Sequence, residues 1–401
     1  MADDTQDGYE PLKPPPGGFR SPRTPPPRRT PPDGPSAIAK PGPENGESTI
    51  LLMGPSSTGK TLLLAALGQA CSQRTLDELI IKYNQINLHD IIVARNNGHT
   101  ARMGLAASAM NRTYDFSITV EKPSKNGKKP SRSLGSRHFT CIDGPGGALF
   151  FDELKAGERS EEFTKFAKEL IDVGTKASSI VIMVNPKSES VDHLVMNQLP
   201  GLLGKMAHEV MASQDPEQAP PSLKDKILKL LRGLLPMKPA AETGVANGKK
   251  AKIFNISADR ILLVLNFFDQ ICLEWMADYP DRFHEMSPFD IADHCAAPIW
   301  LANDVFGPDF LYQVMGYMKP DAELAVAVCT AGGFVRETGE PYLDEIGRPN
   351  CLYGVQPAEM LPHLVLFGLK EILLFAGYGI ATPGMVEVVT PQSLLDNQVQ
   401  E

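Results

Sequence analysis

The segment Gly54-Pro55-Ser56-Ser57-Thr58-Gly59-Lys60-Thr61 limits what this chain can fold into more than any other stretch. It matches G-x-x-x-x-G-K-[ST]. In that pattern the glycines let successive backbone N–H groups point into one concavity, and the helix behind aims its positive end at the same spot. The concavity suits the phosphates of a nucleoside triphosphate. Gly54, Ser57, Thr58 and Gly59 would line it, Lys60 would reach the β- and γ-phosphates, and Thr61 would ligate Mg²⁺. The apolar run 49–53 before the loop reads as a short buried strand. The run 61–71 after it reads as an apolar helix. A loop of this kind needs both neighbours, and both are present.

The strand–loop–helix unit repeats in kind along the chain. Period-two alternation over 113–120 predicts a strand with an exposed edge, and 137–142 is its expected hairpin partner. The β-branched run 179–184 predicts a buried strand, as do 261–266 and 325–330. Helices are expected over 161–173, 191–213, from the end of the 261–266 strand through Ala277, and over 357–375. Strands alternating with crossover helices imply an α/β fold. The expected form is a P-loop NTPase three-layer sandwich, with a mostly parallel sheet, one antiparallel edge strand and helices on both faces.

Two segments stand apart. Residues 1–47 hold thirteen of the 35 prolines and show no hydrophobic period, so a disordered or polyproline-like tail is expected. From Lys13 to Lys40 it carries six basic residues and one acid, which fits either a solvated linker or a docking arm. The remainder, 48–401, is expected to form one domain with an insertion at about 215–252. Within the insertion, Leu223, Ile227, Leu230, Leu231 and Leu234 share a helical face, ringed by Lys224, Lys226, Lys229 and Arg232. That pattern suits a helix packed on the main domain. Contact of 222–235 with a membrane surface or a partner groove is the alternative.

Composition narrows the classes further. At 42% hydrophobic and 22% charged, the 401-residue chain has ample material for a core. A net charge of −9 gives no reason to expect nucleic acid as a partner. The six cysteines lack paired spacing, so no zinc ribbon or redox pair is expected. Reduced thiols and the lack of an apolar leader or 18-residue apolar run point to a cytoplasmic location.

A second motif follows the first. In Phe139-Thr140-Cys141-Ile142-Asp143-Gly144-Pro145-Gly146-Gly147 an apolar strand ends in an aspartate and a Gly/Pro turn. Asp143 is placed to hold Mg²⁺ through water, and Gly146 to donate its N–H to a γ-phosphate.

With these two motifs the sequence resembles the Ras-like (translation-factor-related, TRAFAC-class) P-loop GTPases, over about residues 48–378. Asp143 to Gly146 matches the family's second-switch D-x-x-G. Asn266-Phe267-Phe268-Asp269, ending an apolar strand, is similar to its guanine-reading N-K-x-D. The resemblance implies that Asp269 accepts from guanine N1–H and the N2 amino group. Thr330-Ala331-Gly332 resembles the last motif, in which the Ala331 N–H would touch guanine O6. Thr113 stands where the family places a first-switch threonine on Mg²⁺, with Thr100 the alternative. The insertion and long loops also resemble bacterial double-GTPase domains.

The chain departs from the family pattern at two positions. Phe267 replaces a lysine whose stem covers the base, and offers an aromatic ring in its place. Gly147 stands where many relatives carry the glutamine that orients water. Slow hydrolysis is therefore expected unless another residue, such as Asp152 or Glu153, or a partner positions the water. Arg112 is a candidate for stabilising charge in cis. The resemblance implies a Mg²⁺-dependent GTPase switch, with Lys60, Thr113 and Gly146 around the reacting phosphate and a protein effector or activator as partner. An ATP-using P-loop enzyme and a nucleotide-binding scaffold with little or no hydrolysis are the competing readings.

Overall fold

The computed structural model describes residues 49–54, 58–60, 63, 79–82, 112–122, 132–143, 161–186, 199, 202–204, 206–207, 256–330, 332–342 and 364–390. The expectations for 1–47, for 215–252 and for most of the helix after the phosphate loop fall outside them. Ten strands are described: β1 (Thr49–Met53), β2 (Leu79–Lys82), β3 (Arg112–Lys122), β4 (Arg132–Asp143), β5 (Ser179–Val184), β6 (Arg260–Leu265), β7 (Glu323–Val328), β8 (Phe334–Val335), β9 (Leu364–Val365) and β10 (Val386–Val388). The named helices are α1 (Glu161–Gly174), α2 (Phe268–Asp278), α3 (Pro288–Cys295), α4 (Pro298–Phe306), α5 (Pro308–Met315) and α6 (Leu369–Tyr378).

Eight strands form one sheet in the order β10-β7-β6-β5-β1-β4-β3-β2, and β8 pairs with β9 in a small separate ribbon. The run β7-β6-β5-β1-β4 is parallel throughout. β10 joins β7 as an antiparallel edge strand. β3 and β4 form the expected antiparallel hairpin, and β2 pairs outside β3 as a strand the sequence reading did not anticipate. The architecture is the expected three-layer α/β sandwich.

The central strands are buried on both faces, as parallel strands under crossover helices must be. β5 (SIVIMV) and β6 (RILLVL) have no exposed residue. Their side chains alternate between two cores, the consequence of period-two geometry. Leu51, Met53, Ile180, Ile182, Leu263 and Val326 face the larger core, with Leu170 of α1 and residues of α2 to α5. Ile50, Leu52, Val181, Met183, Leu262 and Ala325 face the other, where Leu63 and α6 cover them. The described positions Leu199, Leu202, Leu203 and Met206 are helical and buried in the larger core, as expected for 191–213.

The expectation for 357–375 needs correction. Leu364–Val365 is a strand, and the helix begins only at Leu369. Gly368 sits at φ 79°, a conformation that stops an α-helix from extending back through it. A Cβ there would also fall on the Val328 carbonyl, so β7 holds this turn against itself.

α3, α4 and α5 were not foreseen. Each is eight or nine residues long, too short for periodicity to stand out. What starts them is local chemistry: Pro288, Pro298 and Pro308 occupy the first turn of each, where a missing N–H costs nothing. α3 adds a capping box in which Ser287 Oγ accepts from the Asp290 N–H at 3.2 Å and Asp290 Oδ2 accepts from the Ser287 N–H at 3.0 Å. α4 is capped from a distance, as Glu387 Oε2 of β10 accepts from the Ile299 N–H at 2.8 Å. Among the described residues no helix is long and apolar enough to cross a membrane.

The capping box predicts a pH-dependent stability term. Hydrogen bonds from the Ser287 side chain, then from its backbone N–H, hold the Asp290 carboxyl below its ordinary value. The folded protein therefore binds that proton more weakly than the unfolded chain. The contribution is complete above the ordinary carboxylate pKa and is lost as pH falls through the lowered one. Ser287→Ala is expected to cost about 1 kcal/mol in urea unfolding at pH 7, and less at pH 3.

Candidate functional site

β1 lies at the point where the sheet reverses its winding. The chain leaves it toward β4 on one side and then crosses to β5 on the other. Open α/β sheets hold ligands in the crevice that this reversal leaves at the carboxyl ends of the strands. The segment after β1 is the Gly54–Thr61 loop, so the topology and the motif mark the same place.

Within that loop two glycines are required by what surrounds them. A Cβ on Gly54 would collide with the Met183 carbonyl of β5. Gly59 has φ 84°, and a Cβ on it would fall on Asn266 Nδ2. The backbone is thus pressed between neighbouring strands and turned in a way that side chains would block. Lys60 opens a helix immediately behind and is only 5% exposed, with Nζ donating to the Gly54 carbonyl at 2.8 Å. A buried ammonium beside two glycines that tolerate no side chain fits a polyphosphate. Thr58 is buried in the same wall, while Ser57 and Thr61 lie outside the described residues.

β4, beside β1, and β3 beyond it bring two further expected residues to this end of the sheet. In the β1/β4 register Leu52 pairs with Cys141, so two residues on Asp143 comes level with Gly54. In the β3/β4 hairpin Arg112 pairs with Asp143 and Thr113 with Ile142. Thr113 is therefore the second residue of β3. Gly146, Gly147, Thr100, Asp152 and Glu153 lie outside the described residues.

The Asn266–Asp269 segment continues β6. Asn266 is completely buried, and its Nδ2 donates to the Thr58 carbonyl at 2.8 Å, across 208 residues of sequence. Its own N–H donates to Val184 O of β5 at 2.9 Å. Phe267 follows at φ 61°, ψ 35°, and starts α2 without a side-chain cap. Asp269 stands in the first turn of α2, 2% exposed, its Oδ2 accepting from Gln270 Nε2 at 3.0 Å. Asn266 thus ties the end of β6, three residues before Asp269, to the loop.

The end of β7 completes the rim. Cys329 N donates to Leu265 O at 2.9 Å, and Phe268 N to Cys329 O at 3.1 Å. Thr330 N donates to Phe367 O at 3.0 Å. Three segments therefore meet here: the ends of β6 and β7 and the turn before α6. Beneath them Phe268 stacks on Phe367 with centroids 6.2 Å apart and meets Trp275 edge-on at 5.8 Å. Trp275 tilts against Trp300 at 6.4 Å, which places both tryptophans in packing. Thr330 Oγ1 is buried with no hydrogen-bond partner among the described residues. Ala331 itself lies outside them.

Burial shapes the local electrostatics. It pushes the Cys329 thiol far above its usual range, with the Glu371 and Asp269 charges adding to the effect. Cys272 rises for the same reasons, burial first and Asp269 second. Both thiols stay neutral. Burial also raises the Glu371 carboxyl of α6. Glu371 was not among the expected site residues, and nothing in its sequence context marks it, since only the fold brings α6 under Cys329.

No protein-family profile matches the chain, and no curated protein does. Among solved structures, it is similar to the signal recognition particle receptor SRb-GTP/SRX complex from Chaetomium thermophilum, at 11% identity over 72% of this chain and 92% of that one, with a TM-score of 0.26. It is also similar to the S. cerevisiae Ski7 GTPase-like domain bound to GTP, at 14% identity over 81% of this chain and 49% of that one, with a TM-score of 0.27. Likenesses this slight do not bear on function, and the site has to be read from its own residues.

Asn266→Ala removes the donor to a buried carbonyl. It is expected to lower stability by about 1–3 kcal/mol in urea unfolding, the usual cost of leaving such an acceptor unmet. Asn266→Asp, which also lacks the donor, should not rescue it.

Proposed function

We propose that this protein binds GTP with Mg²⁺ and hydrolyses it slowly, as a nucleotide-controlled switch of the Ras-like kind. The observation that carries the reading is the Asn266–Thr58 hydrogen bond. It fixes the segment bearing Asp269 to the loop bearing Lys60. A carboxylate therefore stands at a set reach from a phosphate cradle. Guanine presents N1–H and an exocyclic amino group to such an acceptor, and adenine has no N1–H to give.

Each of the chain's residues then has a role. The loop N–H groups and Lys60 hold the phosphates, and Lys60 balances the charge that develops as the γ-phosphate departs. Thr61, Thr113 and Asp143 would hold Mg²⁺, which when bound draws charge from the phosphate oxygens. Gly146 donates its N–H to the γ-phosphate, and the Ala331 N–H meets guanine O6. Arg112, whose backbone pairs in register with Asp143, would add positive charge. Loss of the γ-phosphate would release Thr113 and Gly146. Segments freed in that way are how such sites signal to a protein partner.

Calorimetric titration of the purified protein should give tighter binding for GTP than for ATP, and Asp269→Asn should shift preference toward xanthosine triphosphate. Tighter ATP binding would sink the guanine assignment. Hydrolysis is tested separately, by phosphate release against Lys60→Ala. The wild type is expected to exceed the variant by a factor on the order of 10² or more, since charge stabilisation of this kind is worth that much. Equal rates, with and without cell extract, would favour a scaffold that binds nucleotide without turnover.

A further inference from the structure

We propose that Gln270 is a positioning residue for base selectivity: its side-chain amide holds the Asp269 carboxylate in the plane in which it meets both edge donors of guanine. The role rests on the guanine site proposed above and adds the group that sets how sharply that site discriminates.

The backbone around Asp269 is tied down on either side. Asn266 N donates to Val184 O at 2.9 Å, and Asn266 Nδ2 to Thr58 O at 2.8 Å. Phe268 N donates to Cys329 O at 3.1 Å, and Gln270 N to Phe267 O at 3.0 Å. These bonds fix where the Asp269 main chain sits. They do not fix its carboxylate. The last torsion of an aspartate is broad, without sharp staggered wells, so the carboxylate plane turns unless another group holds it.

Gln270 supplies that hold. Its Nε2 donates to Asp269 Oδ2 at 3.0 Å. A carboxylate only accepts, so the amide must turn its NH₂ and not its carbonyl toward it. Asp269 is buried in the first turn of α2, whereas Gln270 beside it is half-buried. A buried carboxylate needs hydrogen bonds to keep its charge, and the positive end of a helix favours that charge further. The amide takes one of the roughly four acceptor positions of the carboxylate and leaves others for a base.

The chemistry of the base shows why the plane matters. Guanine N1–H and the exocyclic amino group lie side by side in the plane of the ring. Two parallel hydrogen bonds to one carboxylate form only when the carboxylate lies in that plane too. Turned out of it, the carboxylate meets one donor and loses the other. Gln270 therefore acts on the difference between guanine and hypoxanthine, which has N1–H but no amino group. It has no part in holding the phosphates.

The test compares wild type, Gln270→Met and Gln270→Lys by calorimetry, with GTP, inosine triphosphate, ATP and inorganic tripolyphosphate as probes. Each variant is first checked for cooperative unfolding. Met has nearly the shape of glutamine without its donor, and Lys keeps a donor. Wild type is expected to bind GTP more tightly than inosine triphosphate. Met is expected to weaken GTP by about three- to tenfold, the worth of one hydrogen bond, and to bring the two nucleotides within about two-fold of each other. Lys should keep the wild-type preference. ATP and tripolyphosphate affinities should not change in Gln270→Met. A GTP preference in Gln270→Met equal to wild type would overturn the proposal. So would Lys behaving as Met does, because the glutamine would then matter for its shape and not for its donor. Tripolyphosphate affinity falling in step would overturn it as well, since the side chain would then be shaping the loop. Wild type preferring ATP to GTP would overturn the guanine reading and this role together, whereas a GTP preference untouched by Met overturns this role alone.

Discussion

The hydrogen bond from Asn266 Nδ2 to the Thr58 carbonyl governs the arrangement of this end of the molecule. It joins residues 208 apart in sequence and lies where Gly59 has given up its Cβ to make room. Without the glycine the amide cannot approach. Without the amide the loop carbonyl is buried with nothing to meet it, a cost comparable to a whole hydrogen bond. Thr58 to Lys60, the end of β6 and the start of α2 therefore form one piece. Phe267, Asp269 and Lys60 inherit their relative positions from it. The parallel ladder beneath, in which Asn266 N meets Val184 O and Cys329 N meets Leu265 O, extends the same linkage across three strands.

Much of this was legible in the sequence because it is local. β1 and β5 were expected at the residues where they occur, since each is a short apolar run between turn signals. The β3/β4 hairpin is marked by alternation over 113–120 followed by a Lys/Ser/Gly-rich connection. The loop was legible because its glycines answer to a backbone requirement that no other residue meets. Asn266 and Asp269 stand out as candidates by their order along the chain, and the structure joins Asn266 to the Thr58 carbonyl and sets Asp269 in the first turn of the helix that follows.

What was not legible depends on contacts between distant segments. Nothing around Leu79–Lys82 or Val386–Val388 distinguishes a strand from a connection, because a three- or four-residue strand is defined by its partner. The helix expected over 357–375 was cut short by Gly368, whose conformation is set by the Val328 carbonyl across the site. α3, α4 and α5 were missed because their starts are written in proline and capping residues, and their apolar faces are too short to show a period. Glu371 and the orphaned Thr330 hydroxyl acquire meaning only once α6 is folded beneath the end of β7.

The bond between Glu387 and the Ile299 N–H has a consequence for how the molecule is assembled. β10 comes last in sequence among the described strands, yet it covers one edge of the sheet and supplies the cap for α4. Until it arrives, β7 presents a bare row of backbone donors and acceptors, the surface on which chains pair with one another. As the polypeptide is synthesised from its N-terminus, the parallel strands from β1 to β7 can pair before that edge is closed. The final strand therefore acts as a clasp, and the interval before it fastens is when this protein is most exposed to sticking to its own copies.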